Sequence, residues 1–226
     1  METHVRRLRV IALFEELSGE ELAHIATLCS FNRYDRHIQI IGQDDPTSDV
    51  FFILDGAVRI SSYSATGREI MYNDIGAGGL FGEFSAVDGL PRSASVVALS
   101  SCVVARMTAA KFSELLQTNG KVAFRLIEIL VVKLRAMSER VFDVSALGLR
   151  ERVRKELLRL ASSGSPAYGG LLIKPAPTHY EIAARIGSQR EAVSREFSRL
   201  EIDGIIEVRR QEIRILDLNR LEHLGD

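Results

Sequence analysis

The apolar positions between Gly120 and Val144 recur in steps of three and four, which places them on one line along a helix. The line consists of Ala123, Ile127, Leu130, Leu134, Met137, Val141 and Val144. On a different face of the same helix, we expect Leu126, Ile129 and Val132 to cover a neighbouring domain. One long helix within a single domain is an alternative. A narrow seam of this length favours a parallel coiled coil of two chains, and therefore a homodimer.

Charged side chains flank this seam on the rest of the helix surface. We expect them to be solvated, and they include Arg125, Glu128, Lys133, Arg135, Glu139 and Arg140. On this interpretation the helix joins whatever precedes it to whatever follows it.

Between Phe31 and Met107 the helical period gives way to short runs rich in β-branched and aromatic residues. The runs cover residues 39–41, 50–54, 58–63, 69–73, 95–98 and 102–107. We expect Asp55-Gly56 and residues 65–67 to form hairpin turns. Regularly spaced short strands of this kind predict a small β-sandwich or jelly-roll barrel.

A second helical region begins after Gly148, which separates the seam from a new amphipathic pattern starting at Arg150. Residues 145–149 mark a change of character, and we interpret Gly148 as a hinge or as a weak N-cap. Residues 162–170 predict a loop, and residues 171–174 predict a short strand.

Two short helices separated by Gly187 predict a helix-turn-helix. Thr178 and Glu181 match a capping box at the first helix, and we expect Ser188 to cap the second, which ends at Gly204. Residues 205–208 and 212–216 then predict a hairpin wing, with Arg209 and Arg210 at its tip.

The second helix carries Arg190, Glu191, Ser194 and Arg195 on or near one face of its first two turns. In a DNA major groove, arginine pairs with guanine and glutamate accepts a hydrogen bond from cytosine. For Glu191 a capping role beside Ser188 stays open, because these two residues also match a capping box. The expected DNA-contacting residues are Thr178, Ser188, Gln189, Arg190, Glu191, Ser194, Arg195, Arg199 and Arg209.

Composition adds little to this picture. The chain has 226 residues, 46% of them hydrophobic, and a net charge of -1, which is typical of an ordinary globular protein with room for two modest domains. Residues 149–226 carry 14 basic and 12 acidic side chains, a faint signal for nucleic acid. No signal peptide or long apolar run is visible, so we expect a cytoplasmic protein without a membrane partner.

The stretch from Gly76 to Val97 combines glycines with one acid, Glu83, and one arginine, Arg92, among apolar residues. Glycines let main-chain amides approach a ligand, and Arg92 offers a charged fork for a phosphate, while Glu83 can accept a hydrogen bond from a ribose hydroxyl. A buried Glu83–Arg92 ion pair that braces a loop explains the same residues.

Residues 81–83 (Phe-Gly-Glu) and residues 91–96 (Pro-Arg-Ser-Ala-Ser-Val) resemble the phosphate-binding cassette of cyclic-nucleotide-binding domains. The resemblance implies that Glu83 holds the ribose 2′-hydroxyl and that Arg92 and Ser93 hold the cyclic phosphate. The cassette residues expected to bind the ligand are Gly82, Glu83, Phe84, Arg92 and Ser93.

A sensor cassette, a long helix and a winged helix-turn-helix, in this order, resemble the catabolite activator protein family, also called cyclic-AMP receptor proteins, of the Crp–Fnr superfamily. The resemblance implies an α+β fold with a β jelly-roll sensor (residues 1–118), a dimerisation helix with its hinge (119–147) and a winged helix-turn-helix (148–226). It also implies a homodimer that binds cAMP or cGMP as an allosteric ligand. Such a dimer binds palindromic double-stranded DNA and recruits RNA polymerase, and it is not an enzyme.

Two positions depart from the family pattern. Where these activators place a Thr-Ser pair against the purine, this chain has Met137 and Ser138, and we expect both to contact the ligand. Methionine neither donates nor accepts a hydrogen bond as threonine does. Gly148 stands where an aspartate cap is familiar, which is expected to loosen the coupling between domains. Arg190, Glu191 and Arg195 match the base-reading set of the family.

Other classes fit the residues less well. An iron–sulfur or haem sensor needs a cysteine group or an axial histidine, whereas Cys29 and Cys102 are far apart and His37 is the one histidine between residues 31 and 107. A cupin-type metal enzyme needs clustered ligands, so we expect no metal. A regulatory subunit that does not bind DNA would lack the arginines of the second helix.

Overall fold

The computed structural model describes residues 2–67, 69–162, 165–167 and 170–223. The chain divides into two compact units, and the boundary falls between Leu134 and Arg135, inside the longest helix. Among the described residues, no helix is long and apolar enough to cross a membrane.

The first unit is a β-sandwich with helices at both ends of its sequence. Its strands are β1 (Ser30–Tyr34), β2 (Gln39–Ile41), β3 (Val50–Asp55), β4 (Ala57–Tyr63), β5 (Glu69–Gly76), β6 (Leu80–Phe81), β7 (Ser95–Ala98) and β8 (Cys102–Met107). Its helices are α1 (Glu2–Leu8), α2 (Gly19–Leu28), α3 (Glu83–Asp88), α4 (Ala109–Thr118) and the first part of α5 (Gly120–Ala146), with a 3-10 turn at Ala12–Phe14. The two antiparallel sheets have the strand orders β1-β8-β3-β6 and β2-β7-β4-β5.

Strand β3 lies between two apolar layers, because its side chains alternate between them. Val50, Phe52 and Leu54 pack into a core shared with the helices, whereas Phe51 and Ile53 face the interior of the sandwich. All five are buried, which explains why this strand is a continuous apolar run in the sequence.

The six predicted strands are present, and two short ones, β1 and β6, were missed. The predicted hairpin at Ala65–Gly67 is confirmed, since β4 and β5 pair on either side of it and the Gly67 amide donates to the Ser64 carbonyl at 2.8 Å. The predicted hairpin at Asp55-Gly56 is wrong. Strand β3 belongs to one sheet and β4 to the other, so this turn crosses the sandwich.

The apolar side chains with which helix α5 covers the first unit differ from those predicted. Val122 and Leu126 are buried in the core, and Ile129 and Leu130 pack against it. Val132, which was predicted to cover a neighbouring domain, is 67% exposed, so that prediction is wrong. It lies about 100° around the helix from the row that continues through position 133.

The exposed face of α5 carries large apolar side chains in alternating steps of three and four. They are Phe124, Ile127, Val131, Leu134 and Val141, with Ser138 completing the series. The predicted seam shares Ile127, Leu134 and Val141 with this row, but it also included Leu130, which the first unit partly buries. We call the six residues from Phe124 to Val141 the exposed row.

The second unit contains the end of α5 and a small helical domain with one four-stranded sheet. Its elements are α6 (Leu149–Ser162), β9 (Ser165–Ala167), β10 (Gly170–Ile173), α7 (His179–Ile186), α8 (Arg190–Ile202), β11 (Ile206–Arg209), β12 (Glu212–Ile215) and α9 (Leu218–Glu222), and the strand order is β11-β12-β10-β9. The loop predicted for residues 162–170 is wrong in part, because β9 and β10 pair there. Residues 163–164 and 168–169 lie outside the described residues.

The predicted cap at Gly148 has a physical basis in the hydrogen bonds of that turn. The Gly148 carbonyl accepts from the Arg152 amide at 3.1 Å, and its own amide donates to the Glu151 carboxylate at 2.9 Å. Gly148 therefore begins α6 two residues after α5 has ended.

Candidate functional site

The cassette begins at Gly82, where the main chain turns from β6 into α3. Gly82 has a φ of 82°, and a Cβ atom there would lie 2.7 Å from the Asp49 carbonyl oxygen and 2.8 Å from Nη1 of Arg92. Glycine is therefore required both for the left-handed conformation and for the close approach. The first amides of α3 lack acceptors within the helix, and Glu83 is its first residue.

Arg92 is 2% exposed and is held by three oxygen atoms. Its Nη1 donates to the Gly82 carbonyl at 2.8 Å, its Nη2 donates to the Asp49 carbonyl at 2.8 Å, and its Nε donates to the Thr47 hydroxyl at 3.0 Å. Burial lowers the pKa of the guanidinium from its usual value, and the charge of Asp49 opposes that shift. Because guanidinium carries five N–H groups, two remain for an anion within the described part of the chain.

Glu83 is buried, at 4% exposure, and Oε1 of its carboxylate accepts a hydrogen bond from Nζ of Lys133 at 2.6 Å. The brace considered above is therefore not the arrangement found. Glu83 pairs with α5, while Arg92 binds main-chain carbonyls. The second carboxylate oxygen of Glu83 stays available to accept a hydrogen bond from a hydroxyl group.

Lys133 was expected to be solvated, and this is wrong. It continues the row of α5 that faces the first unit, one turn beyond Ile129, which packs against the core. The signal in the sequence is the spacing Val122, Leu126, Ile129, Lys133, in which a charged residue ends a buried row. A charged residue at such a position needs a buried partner, and Glu83 is that partner.

Replacing Lys133 by glutamine is expected to weaken cyclic-nucleotide binding about tenfold, because Glu83 loses the charge-assisted hydrogen bond that orients it. Titration calorimetry checks this. Lys121, which is exposed on the same helix, provides the matched control Lys121→Gln, with expected wild-type affinity. Equal affinities for the two variants would contradict a role for Lys133 at the cassette.

The remaining predicted ligand residues are more exposed. Phe84 is 49% exposed on α3, and Ser93 is exposed directly after Arg92. Met137 is 41% exposed and Ser138 is exposed, and both lie on α5 within the second unit. Of the predicted set, the structure thus brings together Gly82, Glu83 and Arg92.

The predicted helix-turn-helix consists of α7, a tight turn at Gly187 and α8. The Thr178 hydroxyl accepts from the Glu181 amide, and the Glu181 carboxylate accepts from the Thr178 amide, so the predicted capping box is present. Gly187 has a φ of 65°, as the left-handed end of α7 requires.

Ser188 does not cap α8, and that prediction is wrong. The N-cap of α8 is Gln189, which makes no side-chain capping bond. Ser188 instead completes the end of α7, because its amide donates to the Ala183 carbonyl at 2.9 Å in the manner of a Schellman motif. The N-cap of α8 is thus Gln189 rather than Ser188, and Glu191 is exposed in the first turn of the helix.

The start of α8 presents polar side chains to solvent. The exposed ones are Gln189, Arg190, Glu191 and Arg195. Ser194 is partly buried, and its hydroxyl lies 2.9 Å from Nδ1 of His179. Burial, and then the charge of Arg190, lower the pKa of His179, which favours its neutral form.

Two further predicted DNA-contacting arginines have acidic neighbours. Nε of Arg199 lies 3.8 Å from Asp203, and Arg209, at the end of β11, donates to the Glu207 carboxylate at 2.8 Å. Both side chains are partly exposed. Their geometry suits phosphate contacts better than base contacts, because neither lies in the first two turns of α8.

In the part of the chain that the structure describes, no three histidine, cysteine, aspartate or glutamate side chains are grouped to hold a metal ion. Cys29 and Cys102 are free thiols, and burial raises the pKa of Cys29 to about 12.

Comparison with known proteins agrees with this geometry. Residues 31–119 match the cyclic nucleotide-binding domain family, and residues 151–224 match the Crp-like helix-turn-helix domain family. The cAMP-activated global transcriptional regulator Vfr of Pseudomonas aeruginosa is 32% identical over 194 residues, which are 83% of this chain and 88% of Vfr. The chain belongs to the Crp–Fnr family of transcription regulators. The family member CRP of Haemophilus influenzae, also a cAMP-activated global transcriptional regulator, is 28% identical over 80% of this chain and 81% of its own length.

Solved structures of other proteins share the fold of this chain. A variant of CooA from Carboxydothermus hydrogenoformans has a TM-score of 0.80 at 18% identity and covers 96% of this chain and 95% of its own. The c-di-GMP responsive global regulator CLP of Xanthomonas campestris has a TM-score of 0.79 at 17% identity, with 88% and 99% covered. The predicted α+β fold, with a β jelly-roll, a long helix and a C-terminal helix-turn-helix, is confirmed.

Proposed function

We propose that the protein is a cytoplasmic homodimer that binds one cyclic nucleotide per β-domain and, in that state, binds a palindromic operator in double-stranded DNA. Residues 1–118 form the sensor, residues 119–147 the dimerisation helix and hinge, and residues 148–226 the DNA-binding domain. Its task is binding and recruitment of RNA polymerase rather than catalysis.

The observation that carries the ligand class is the buried pair of Glu83 and Arg92 at the start of α3. A carboxylate with one free oxygen and a guanidinium with two free N–H groups lie at one glycine turn, in a domain that matches the cyclic-nucleotide-binding family. A ribose hydroxyl and a cyclic phosphate on one small ligand fit these two groups. Ser93 and the first amides of α3 supply further polar contacts to the phosphate.

The exposed row of α5 supports the dimer. Its five apolar side chains are between 43% and 67% exposed in the single chain. A second α5 packed in parallel would bury them as the alternating positions of a coiled coil. Two recognition helices related by a two-fold axis then require a palindromic operator with half-sites about 34 Å apart.

The exposed start of α8 supports sequence-specific DNA binding. We assign Arg190 and Arg195 to guanines and Glu191 to a cytosine, with Gln189 and Thr178 beside them. Ser194 contacts DNA only after leaving His179, and Arg199 and Arg209 contact phosphates.

Arg190→Ala is expected to cost about 1–3 kcal/mol on the operator and to relax base preference at one position of each half-site. Arg209→Ala is its matched control, because it removes a phosphate contact and should weaken all sequences alike while flattening the salt dependence. Selection of binding sites from random DNA checks both variants. The same motif returned by the Arg190→Ala protein would contradict base reading by this side chain.

The purine of the ligand is assigned to Met137 and, from the second copy, Ser138. The names of CRP and Vfr, both cAMP-activated, favour cAMP. Met137 makes no hydrogen bond with the base edge and packs against either purine, while Ser138 donates and accepts. We therefore expect cAMP and cGMP to bind within about tenfold of each other, because one polar contact contributes about 1 kcal/mol.

Met137→Thr is expected to restore discrimination between the two cyclic nucleotides. Threonine adds one hydroxyl group that hydrogen-bonds only one of the two base edges well, which separates the affinities by about fivefold or more. Parallel calorimetric titrations with cAMP and cGMP measure the change. Hundredfold rejection of cGMP by the wild type, or no change in the variant, would limit Met137 to packing in the helix.

The proposed function is tested with the purified chain and labelled operator candidates in fluorescence anisotropy, with and without nucleotide. We expect cAMP or cGMP to tighten binding to a selected palindrome, because a ligand shifts the protein by its differential affinity for the DNA-competent state. A third titration with c-di-GMP covers the ligand named for CLP. Binding of DNA that no cyclic nucleotide changes would refute nucleotide dependence.

A further inference from the structure

Two buried carboxylates join three helices of the second unit. Asp143 of α5 is 8% exposed and Glu156 of α6 is 1% exposed. Asp143 accepts from Lys155 at 2.6 Å and from Arg159 at 3.3 Å, while Glu156 accepts from Arg159 at 2.6 Å. Nη1 of Arg185, at the end of α7, lies 3.8 Å from Oε1 of Glu156. The charges therefore form a chain from α5 through α6 to α7.

Cations outnumber anions in this cluster. Arg140 also lies beside it, and burial lowers the pKa of its guanidinium, as do the charges of Arg159 and Arg185, while Glu156 raises it. Four basic side chains thus surround two carboxylates. Removal of either carboxylate takes the counter-charge away from basic side chains that repel each other, of which Arg185 is 9% exposed while Lys155 and Arg159 are 39% and 41% exposed and partly screened by solvent. The two carboxylates therefore help to hold the three helices together.

The same helix, α6, holds the turn of the helix-turn-helix. Nη1 of Arg152 donates to the Ile186 carbonyl at 2.7 Å, directly before Gly187. The end of α7 is therefore hydrogen-bonded to α6 through the main chain of Ile186, and the side chain of Arg185 makes a longer ionic contact with α6 at 3.8 Å. The turn at Gly187, which sets the direction of α8, is therefore attached to α6.

We propose that Asp143 and Glu156 are positioning residues for DNA recognition: they link the C-terminal end of α5 to α7, and they carry the effect of the bound nucleotide to α8 without touching DNA. This inference rests on the proposed function. Asp143 is the member on α5, Arg159 is shared by both carboxylates, and Arg185 is the member on the helix-turn-helix. Neither carboxylate is part of the cassette or of the exposed start of α8.

The contact between Arg185 and Glu156 is the longest in this series of charged contacts, at 3.8 Å. Oε1 of Glu156 is buried and has no hydrogen-bond partner among the described residues, since 3.8 Å is too long for a hydrogen bond. A buried carboxylate oxygen left in this way gains from a closer approach of a donor. The DNA-competent state supplies that approach when α7 moves toward α6, which makes the Glu156–Arg185 contact a two-position element.

The test uses full-length Asp143→Asn and Glu156→Gln, which keep the side-chain shapes. The measured quantity is the ratio of operator dissociation constants without and with saturating cAMP. We expect this ratio to fall at least about fivefold in both variants, since coupling between sites is typically 5–150-fold. A purely structural role would weaken binding equally in both conditions and leave the ratio unchanged, which would overturn the proposal.

Glu196→Gln is the matched control. Glu196 is 8% exposed and lies 3.6 Å from Arg150, so it joins α8 to α6 without reaching α5. We expect this variant to keep the wild-type ratio even if it weakens DNA binding. A ratio lowered as much as in Asp143→Asn would show that any buried charge of this domain has the same effect, and it would also overturn the proposal.

Hydrogen exchange separates this inference from the proposed function. In the ligand-free protein, Asp143→Asn on α5 should speed amide exchange in α7, residues 179–186, while exchange in β3 stays as in the wild type. This holds whichever ligand the sensor binds. If the wild type shows no response to nucleotide but α7 exchanges faster in the variant, the ligand assignment fails and the link from α5 to α7 stands. Unchanged exchange in α7 refutes the link.

Discussion

Replacing Arg92 by glutamine is expected to abolish cyclic-nucleotide binding while the chain stays folded. The ligand phosphate loses a charge-assisted hydrogen bond, worth about 1.5–3 kcal/mol, in a site where Arg92 is 2% exposed and its charge is poorly screened. The variant also leaves the carbonyls of Gly82 and Asp49 without the donors that Arg92 provides, so the main chain around Gly82 is held less firmly. Both effects act against the ligand.

The stability of the variant is part of the same prediction. Two unsatisfied buried carbonyls cost about 1–3 kcal/mol each, which an ordinary domain stability of about 5–15 kcal/mol tolerates. Calorimetry with cAMP and cGMP measures binding, and thermal unfolding measures the fold. Arg92→Lys is the control that keeps the charge but not the fork, and it should bind weakly. Ser93→Ala should lose only about fivefold.

If the Arg92→Gln protein is folded and binds nucleotide with wild-type affinity, the cassette is not the ligand-binding site. If Arg92→Gln does not fold, the exposed Ser93 still decides the matter. Ser93→Ala leaves the buried network intact, so an unchanged affinity in that variant would contradict a phosphate contact after Arg92.

The cassette shows what a sequence motif can and cannot predict. Gly82, Glu83 and Arg92 are close in the sequence and their residue types are chemically telling, so the motif located them. Their partners Asp49 and Lys133 are 43 and 50 residues away from Arg92 and Glu83. Such contacts depend on how the sheets and α5 pack, and no periodic pattern records them.

The long helix was predicted correctly as an element, but the row that packs on the first unit includes Leu130, which had been placed in the seam. Ala123 and Leu130 continue the apolar pattern as well as Phe124 and Val131 do, so the sequence allows two overlapping lines. The first unit partly buries Leu130 and leaves Val131 exposed, which favours the line through Val131 as the one open to a second helix. Amphipathic patterns give the period of a helix more reliably than the partner of each face.

Errors at the turns have a similar origin. Ser188 satisfies the local rule for an N-cap, yet its amide is taken by the end of α7, and α8 starts one residue later. Strands β6 and β9 have two and three residues, too few for an alternating pattern. Strand β6 forms because β3, which is distant in the sequence, supplies its hydrogen bonds, whereas β9 forms against the adjacent strand β10.

Leu134→Asp is expected to convert the dimer into monomers. Leu134 is 67% exposed and lies in the middle of the exposed row, where a second helix would bring two aspartates together in an apolar seam. Each buried, unpaired carboxylate costs several kcal/mol, more than a helix pair of this length recovers elsewhere. Val132→Asp is the matched control, because Val132 is also 67% exposed but lies off the exposed row, and this variant should remain dimeric.

Sedimentation velocity measures the oligomeric state of both variants. Fluorescence anisotropy should show loss of operator binding only in the monomeric variant, since one recognition helix reads one half-site. A stable Leu134→Asp dimer, or dissociation caused by Val132→Asp alone, would place the interface on another face of α5.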